Sequence, residues 1–176
     1  MKKYLLIAGI VFAIAGLSPA ESQAVPQAKA VMINVEGKEI GMASLEEAAG
    51  GVQVHVQVSG LTPGSHGFHI HSVGKCDPPD FKSTGPHFNP AGKKHGKQNP
   101  QGPHAGDLPD LVVGKDGTGS LDVLVPDVTL TGDGPNSLFH PGGTSFVLHA
   151  SADDNTTDPS GNSGARIVCG VITRLS

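Results

Sequence analysis

Short runs in which apolar and polar residues alternate make up most of the chain from about residue 30 onward. From Val52 to Val58, for example, every second residue is valine and the residues between are glutamine or histidine. This two-residue period predicts half-buried β-strands, and no segment shows a sustained 3.6-residue apolar period. Eight strands are predicted in this way: Ala30 to Val35, Ile40 to Leu45, Val52 to Val58, Gly67 to His71, Ser120 to Val125, Asp127 to Thr131, Ser145 to Ala150 and Arg166 to Thr173. Many short strands around one core indicate an all-β sandwich or flattened barrel.

Two long stretches, residues 72–110 and 151–165, do not follow the alternation. The chain contains 25 glycines and 14 prolines, and these stretches are rich in both. Irregular segments of this length inside a domain are usually disordered or form a functional site that something else holds in place. The histidines of the first stretch indicate what holds it.

The segment GFHIHSVGKC, residues 67–76, places two histidines two positions apart in an apolar run. In a strand, Phe68 and Ile70 would share one face, and His69 and His71 would share the other. His149, in the run FVLH, would face outward in the same way. With His87 as a fourth nitrogen donor, these residues form an all-imidazole set that suits Cu(II).

A second set lies in the long stretch itself. It consists of His87, His95, His104 and Asp107. Three imidazoles and one carboxylate make a closed four-coordinate set that suits structural Zn²⁺. Metal binding there would supply folding free energy that the few apolar residues of this stretch cannot supply.

Six segments, taken in chain order, resemble the signatures of the copper/zinc superoxide dismutase family. They are GFHIH, GPHFNP, KKHG, GPHAGDL, LHASADD and GNSGARIVCGVI. The resemblance runs from about residue 30 to the C-terminus, and the insert CDPPDFKST is similar to the secreted bacterial branch. It implies an eight-stranded Greek-key barrel with two long functional loops and disproportionation of superoxide, by alternate reduction and oxidation of a copper ion bridged through a histidine to zinc.

The resemblance also implies roles for individual residues. His87 would bridge the two metals and carry a proton, and Arg166 would bind the substrate anion beside copper. Asp153 would accept hydrogen bonds from His69 and His95, although the adjacent Asp154 could take that role. Cys76 and Cys169 would form a disulfide, which also agrees with an even cysteine count in an exported protein.

The N-terminus has the plan of a secretory signal peptide, with two lysines, an apolar run from Tyr4 to Leu17 and small residues near position 24. We therefore expect a cleaved peptide at 1–24, a short extension at 25–29 and the dismutase-like domain at 30–176, in a secreted, periplasmic or cell-envelope protein. The apolar run is too short to remain as a membrane anchor. The whole chain has 12 basic and 16 acidic residues; cleavage would leave 10 and 15, a net charge of −5 without a basic run, which argues against nucleic-acid binding.

Two other functions remain open from the sequence. A secreted copper- and zinc-binding protein of the same fold could lack turnover, although all seven ligand positions and Arg166 are present. A purely structural sandwich would leave the histidine spacing unexplained. The sequence does not define the oligomeric state, and a homodimer is one option.

Overall fold

The computed structural model describes residues 27–175, so the predicted signal peptide and residues 25 and 26 of the predicted extension lie outside the described residues. The fold is built from ten strands and one short 3₁₀ turn, η1 (Lys82–Thr84). The strands are β1 (Ala28–Asn34), β2 (Glu39–Ala48), β3 (Gly51–Val58), β4 (Gly64–His66), β5 (Phe68–His71), β6 (Leu111–Val113), β7 (Gly119–Val125), β8 (Ser145–His149), β9 (Arg166–Val171) and β10 (Thr173–Arg174). No helix among residues 27–175 is long and apolar enough to cross a membrane.

The strands form a nearly closed antiparallel barrel. Its order is β4-β6-β7-β3-β2-β1-β9-β8-β5, and β10 pairs with β1. Only Gly67 separates β4 from β5, so one bent segment pairs with β6 at one end and with β8 at the other. Counting this segment as one strand gives eight strands around the barrel, and the chain crosses it between β3 and β4 and between β7 and β8, as in a Greek key.

Seven of the predicted segments correspond to strands, with ends that differ by a few residues. The eighth prediction, Asp127 to Thr131, is wrong because this region has only an isolated bridge between Thr129 and Ser137. Val128 and Leu130 are both buried because they anchor a loop to the barrel. In this loop the Leu130 amide donates to the Glu47 carboxylate at 2.6 Å, not to the carbonyl of a neighbouring strand. The place of this strand is taken by β6, whose three residues are too few for a periodic signal.

The barrel interior is filled by the apolar face of each strand. Phe68 and Ile70 of β5 and Phe146 and Leu148 of β8 are fully buried in this core. Their neighbours on the outer face of the same strands are also buried, and every residue of β5 and β8 has little solvent exposure. The two long loops predicted from the sequence cover this outer face, so it differs from the solvated outer face of an ordinary antiparallel barrel.

The loop at 72–110 is attached to the free edge of β5 by backbone hydrogen bonds. The Ile70 amide donates to the Gly106 carbonyl at 2.9 Å, and the Phe88 amide donates to the Ile70 carbonyl at 2.8 Å. Isolated bridges also pair His69 with Asp107 and His71 with His87. This attachment brings the loop histidines beside the strand histidines.

Candidate metal centre

The first half of the site is a group of four histidines on the outer face of β5 and β8 and in the covering loop. His69 and His71 point away from the core, as the alternation predicts, and His149 ends β8 on the same side. One ring nitrogen from each of His69, His71, His87 and His149 lies within 4.8 Å of those of the other three. All four residues are buried.

The four nitrogens that face one another have no hydrogen-bond partner among the described residues. They are His69 Nδ1, His71 Nε2, His87 Nε2 and His149 Nε2. The opposite nitrogen of each ring does have a partner: Asp153 for His69, the Gly85 carbonyl for His71, Asp107 for His87 and the Gly164 carbonyl for His149. Buried polar atoms without partners are rare in proteins, so four that converge on one point fit a metal ion.

Burial keeps three of these four rings neutral. It lowers the pKa of His71 well below its ordinary value, lowers the pKa of His87 to about 4 and lowers the pKa of His149 to about 3. A metal ion binds the lone pair of a neutral imidazole. At neutral pH these three rings therefore offer lone pairs without first losing a proton.

The second half of the site surrounds the carboxylate of Asp107 in the long loop. Its Oδ1 atom lies 3.0 Å from His87 Nδ1, 3.1 Å from His95 Nδ1 and 3.2 Å from His104 Nδ1. The Nδ1 atoms of His87 and His104 are 3.5 Å apart. Donors bound tetrahedrally to Zn²⁺ at about 2.0–2.1 Å lie about 3.3 Å from one another, so this set has the dimensions of a zinc site.

His87 belongs to both halves, through Nε2 in the first and Nδ1 in the second. The two sites are therefore joined by one imidazole ring.

The charges in the second half are strongly coupled. Burial alone would lower the pKa of His95, but its hydrogen bonds with Asp107 and Asp153 outweigh burial and raise this pKa to about 9. Burial alone would raise the pKa of Asp107, but hydrogen bonds from the surrounding histidines and the Gly96 amide hold it far below its usual range. A carboxylate that remains ionised among histidines is a suitable ligand for a divalent cation.

Asp153, from the second loop, connects the two halves by accepting hydrogen bonds from the ring nitrogens of His69 and His95 that point away from the metal sites. Its Oδ2 atom accepts a hydrogen bond from His69 Nε2 at 2.7 Å, and its Oδ1 atom accepts one from His95 Nε2 at 3.0 Å. Asp154 is exposed and receives hydrogen bonds from its own loop, at Thr156 and Thr157, so it does not take this place.

Arg166 begins β9 and is the register partner of His149. Its Nη1 atom donates to the Phe81 carbonyl at 2.9 Å and to Thr84 Oγ1 at 2.7 Å. Within residues 27–175, no hydrogen bond engages Nε or Nη2, and neither is a buried atom without a partner. These donors are therefore free to bind a small anion beside the four histidines.

The disulfide implied by the sequence is present. Cys76 and Cys169 are bonded, with Cα atoms 5.7 Å apart. Cys169 lies in β9, three residues after Arg166, and packs in a small buried cluster with Phe81 and Val147. The bond thereby fixes the segment that supplies the Phe81 carbonyl to Arg166.

Two further residues of the site were not predicted from the sequence. Thr84 is fully buried, and its hydroxyl contacts both Arg166 and His71. Gly161 has a φ of +65°, and a Cβ atom built there would lie 1.8 Å from Asp153 Oδ1 and 2.7 Å from His95 Nε2. Gly161 begins the segment GNSGARIVCGVI and Thr84 ends the insert CDPPDFKST, but the sequence resemblance assigned neither residue a role in the site.

The barrel with two adjoining histidine-rich sites, which share one imidazole, defines a dinuclear metalloprotein. Residues 39–172 match the sequence model of the family described as copper/zinc superoxide dismutase. The chain therefore belongs to the copper/zinc superoxide dismutase family.

Several relatives agree with this assignment. The chain is 50% identical to superoxide dismutase (Cu-Zn) 2 of Aquifex aeolicus over 83% of this chain and 86% of that protein. It is 42% identical to the Caulobacter vibrioides superoxide dismutase (Cu-Zn) over 82% and 84%. Among solved structures, a double mutant of a superoxide dismutase-like protein from Bacillus subtilis superposes with a TM-score of 0.79 at 46% identity, covering 81% of this chain and 95% of that chain.

Proposed function

We propose that this protein is a copper/zinc superoxide dismutase in which each metal is held by the residue set described above. Copper and zinc are its cofactors, and it disproportionates superoxide to dioxygen and hydrogen peroxide. The observation that carries this function is the convergence of four buried ring nitrogens without partners, directly beside a buried set of three histidines and one aspartate.

The donor atoms of the site give the ligand assignment that we propose. Copper would be held by His69 Nδ1 and by the Nε2 atoms of His71, His87 and His149. Zinc would be held by the Nδ1 atoms of His87, His95 and His104 and by Asp107. The chemistry of each set supports this division, since four imidazoles suit Cu(II), and nitrogen donors with one carboxylate suit Zn²⁺.

Bound copper supplies the one-electron redox chemistry by which two superoxide anions and two protons become dioxygen and hydrogen peroxide. The residues of the chain position the substrate and the protons. Arg166 remains charged and offers its free guanidinium donors to the anion. The two loops exclude water from the outer face of β5 and β8, which strengthens this electrostatic interaction.

His87 is placed to hold a proton during the reaction. Its Nε2 atom is buried, has no partner among the described residues and faces the other three histidines. Its Nδ1 atom would be held by zinc together with Asp107, 3.0 Å away, so the ring could accept and release a proton at Nε2 without losing its orientation. Asp153 orients His69 and His95 by accepting a hydrogen bond from each.

The decisive experiment is metal analysis together with superoxide dismutation for the wild type and the variant His149→Ala. We expect about one copper and one zinc per chain, and loss of copper and activity in the variant. His55→Ala is a matched control, because His55 is a partly exposed histidine of β3 whose partner is Asp122, and the substitution should leave metal content and activity unchanged. Metals bound fully by the wild type without turnover would favour the copper- and zinc-binding protein instead.

We also propose that residues 1–24 direct export and are removed, which leaves a protein of the periplasm, cell envelope or medium. The Cys76–Cys169 disulfide supports this location, because such bonds persist in oxidising compartments. Mass spectrometry of the protein from fractionated cells tests it through the mass of the mature chain and the fraction that contains it. A full-length chain in the cytoplasmic fraction would contradict the proposal.

A homodimer is our proposal for the assembly. Val31 and Met42 are cross-strand partners on the outside of the barrel, and both are exposed. Val112 is also exposed, at 66%, and lines the same surface depression as Met42. Sedimentation of the wild type and of Met42→Lys tests this face, since a dimer should dissociate in the variant; a wild type that sediments as a monomer would contradict the proposal.

A further inference from the structure

A single buried hydroxyl lies between the substrate-binding cation and one of the copper-facing rings. Thr84 ends η1, immediately before the loop turns toward His87, and is fully buried. Its Oγ1 atom lies 2.7 Å from Arg166 Nη1 and 3.1 Å from His71 Nδ1. The same oxygen lies 2.9 Å from the Phe81 carbonyl.

The hydrogen-bonding capacity of a hydroxyl, which is one proton and two lone pairs, accounts for all three contacts. Arg166 can only donate, and the Phe81 carbonyl can only accept. His71 Nε2 faces the other histidines without a partner, so its lone pair serves the metal and the ring proton is on Nδ1. Oγ1 therefore donates to Phe81 and accepts from Arg166. It also shares the His71 Nδ1 proton at 3.1 Å with the Gly85 carbonyl, which accepts it at 2.8 Å.

We propose that the Thr84 hydroxyl is a positioning group that sets the Arg166 guanidinium relative to the His71 ring. The inference rests on the proposed function and extends it. One oxygen fixes both the cation that binds superoxide and the orientation of a copper ligand, so the anion site and the metal site cannot shift independently.

The other anchors of the two side chains make this role separable from folding. Arg166 Nη1 keeps the Phe81 carbonyl at 2.9 Å, and His71 Nδ1 keeps the Gly85 carbonyl at 2.8 Å. Valine has nearly the shape of threonine without the oxygen. Thr84→Val should therefore fold and bind both metals, while Arg166 and His71 lose their common partner.

The experiment compares the fully metal-loaded wild type with Thr84→Val, Thr84→Ser and Thr144→Val. Serine restores the oxygen. Thr144→Val removes another fully buried hydroxyl, which donates to the Leu138 carbonyl at 2.7 Å and makes no hydrogen bond to Arg166 or to the metal-facing histidines. The measurements are kcat/KM for superoxide, azide affinity of the oxidised protein, its Cu(II) electron paramagnetic resonance spectrum, and solvent exchange of the His71 Nδ1 proton in the reduced, diamagnetic protein by NMR.

For Thr84→Val we expect kcat/KM and azide affinity to fall about tenfold, the low end of the range for groups that orient metal ligands, because one anchor remains on each side chain. The copper spectrum should change, and the His71 proton should exchange faster. Thr84→Ser should restore all four values, and Thr144→Val should leave them at the wild-type level.

Wild-type values in Thr84→Val would overturn the proposal. So would a failure of Thr84→Ser to restore them, or equal changes in Thr144→Val. A wild type without dismutase turnover would instead refute the proposed function, while the azide, spectroscopic and exchange measurements would still decide the role of Thr84.

Discussion

Breaking the Cys76–Cys169 disulfide in the metal-free protein should cost several kcal/mol of unfolding free energy. The bond joins residues 93 positions apart, so it confines more than half of the described chain in the unfolded state. For a loop of this length, the chain-entropy relation gives about 4.6 kcal/mol at 25 °C. That is a large part of the total stability of a domain, which is typically about 5–15 kcal/mol.

Urea unfolding of the oxidised and the reduced wild type, both in chelator, measures this difference. With a slope of about 2 kcal/mol/M, the midpoint of the reduced protein should be lower by roughly 2 M. The reduced wild type retains both sulfur atoms, so the comparison isolates the bond. Cys76→Ala/Cys169→Ala should be slightly less stable than the reduced wild type, because Cys169 is fully buried beside Phe81 and Val147. Unfolding free energies of the oxidised and reduced proteins that agree within about 1 kcal/mol would refute the chain-entropy reasoning.

Three further predictions concern the metal centre and its charges. Asp153→Asn should lower the metal affinity of both sites by about 10–100-fold, and zinc should be lost first because copper binds more tightly. Metal content after dialysis against increasing chelator concentrations measures this loss. Unchanged zinc retention would contradict the prediction. Gly161→Ala should have a similar effect, because the new Cβ atom would displace the Asp153 carboxylate. Gly132→Ala is the control and should retain both metals, because Gly132 has the same φ of +65° but no atom of residues 27–175 within 4 Å of a Cβ built there. Equal metal loss in both variants would show that backbone strain alone is responsible. The metal-free protein should be most stable near pH 6.5. The folded-state pKa of His87 is lowered to about 4, so the stability that neutral His87 contributes is lost as the pH falls from about 6.5 to 4. The folded-state pKa of His95 is raised to about 9, so the stability that protonated His95 contributes is lost as the pH rises from about 6.5 to 9. Thermal unfolding in chelator across this range should show that maximum, and a stability that rises steadily to pH 9 would contradict it.

The parts of the fold that were predictable from the sequence are those with a long enough periodic signal. The alternation of Val52 to Val58 identifies β3 because seven residues repeat the pattern. Three residues, as in Leu111–Val113, cannot establish a period. At Asp127 to Thr131 the alternation of buried residues is real. The Leu130 amide, however, donates its hydrogen bond to the Glu47 carboxylate, whereas in a strand it would donate to the carbonyl of a neighbouring strand.

The metal-facing residues were predictable for a different reason, which is that their chemistry is unusual. Histidines at 69 and 71 in an apolar strand, and three more in a loop without a core, need a common explanation. Thr84 and Gly161 act through geometry alone. A hydroxyl between two donors, or a missing Cβ beside a carboxylate, becomes visible only when residues distant in the chain are brought together.

The attachment of the loop at 72–110 to β5 has a consequence for the protein when it lacks metal. This loop occupies the hydrogen-bonding groups of Phe68 and Ile70 that would otherwise form an open sheet edge. An uncovered edge is a template for pairing with a strand of another molecule, which leads to aggregation. Metal ions that hold the loop histidines against the strand histidines would therefore also keep this edge covered, and metal binding would limit self-association of the chain as well as support catalysis.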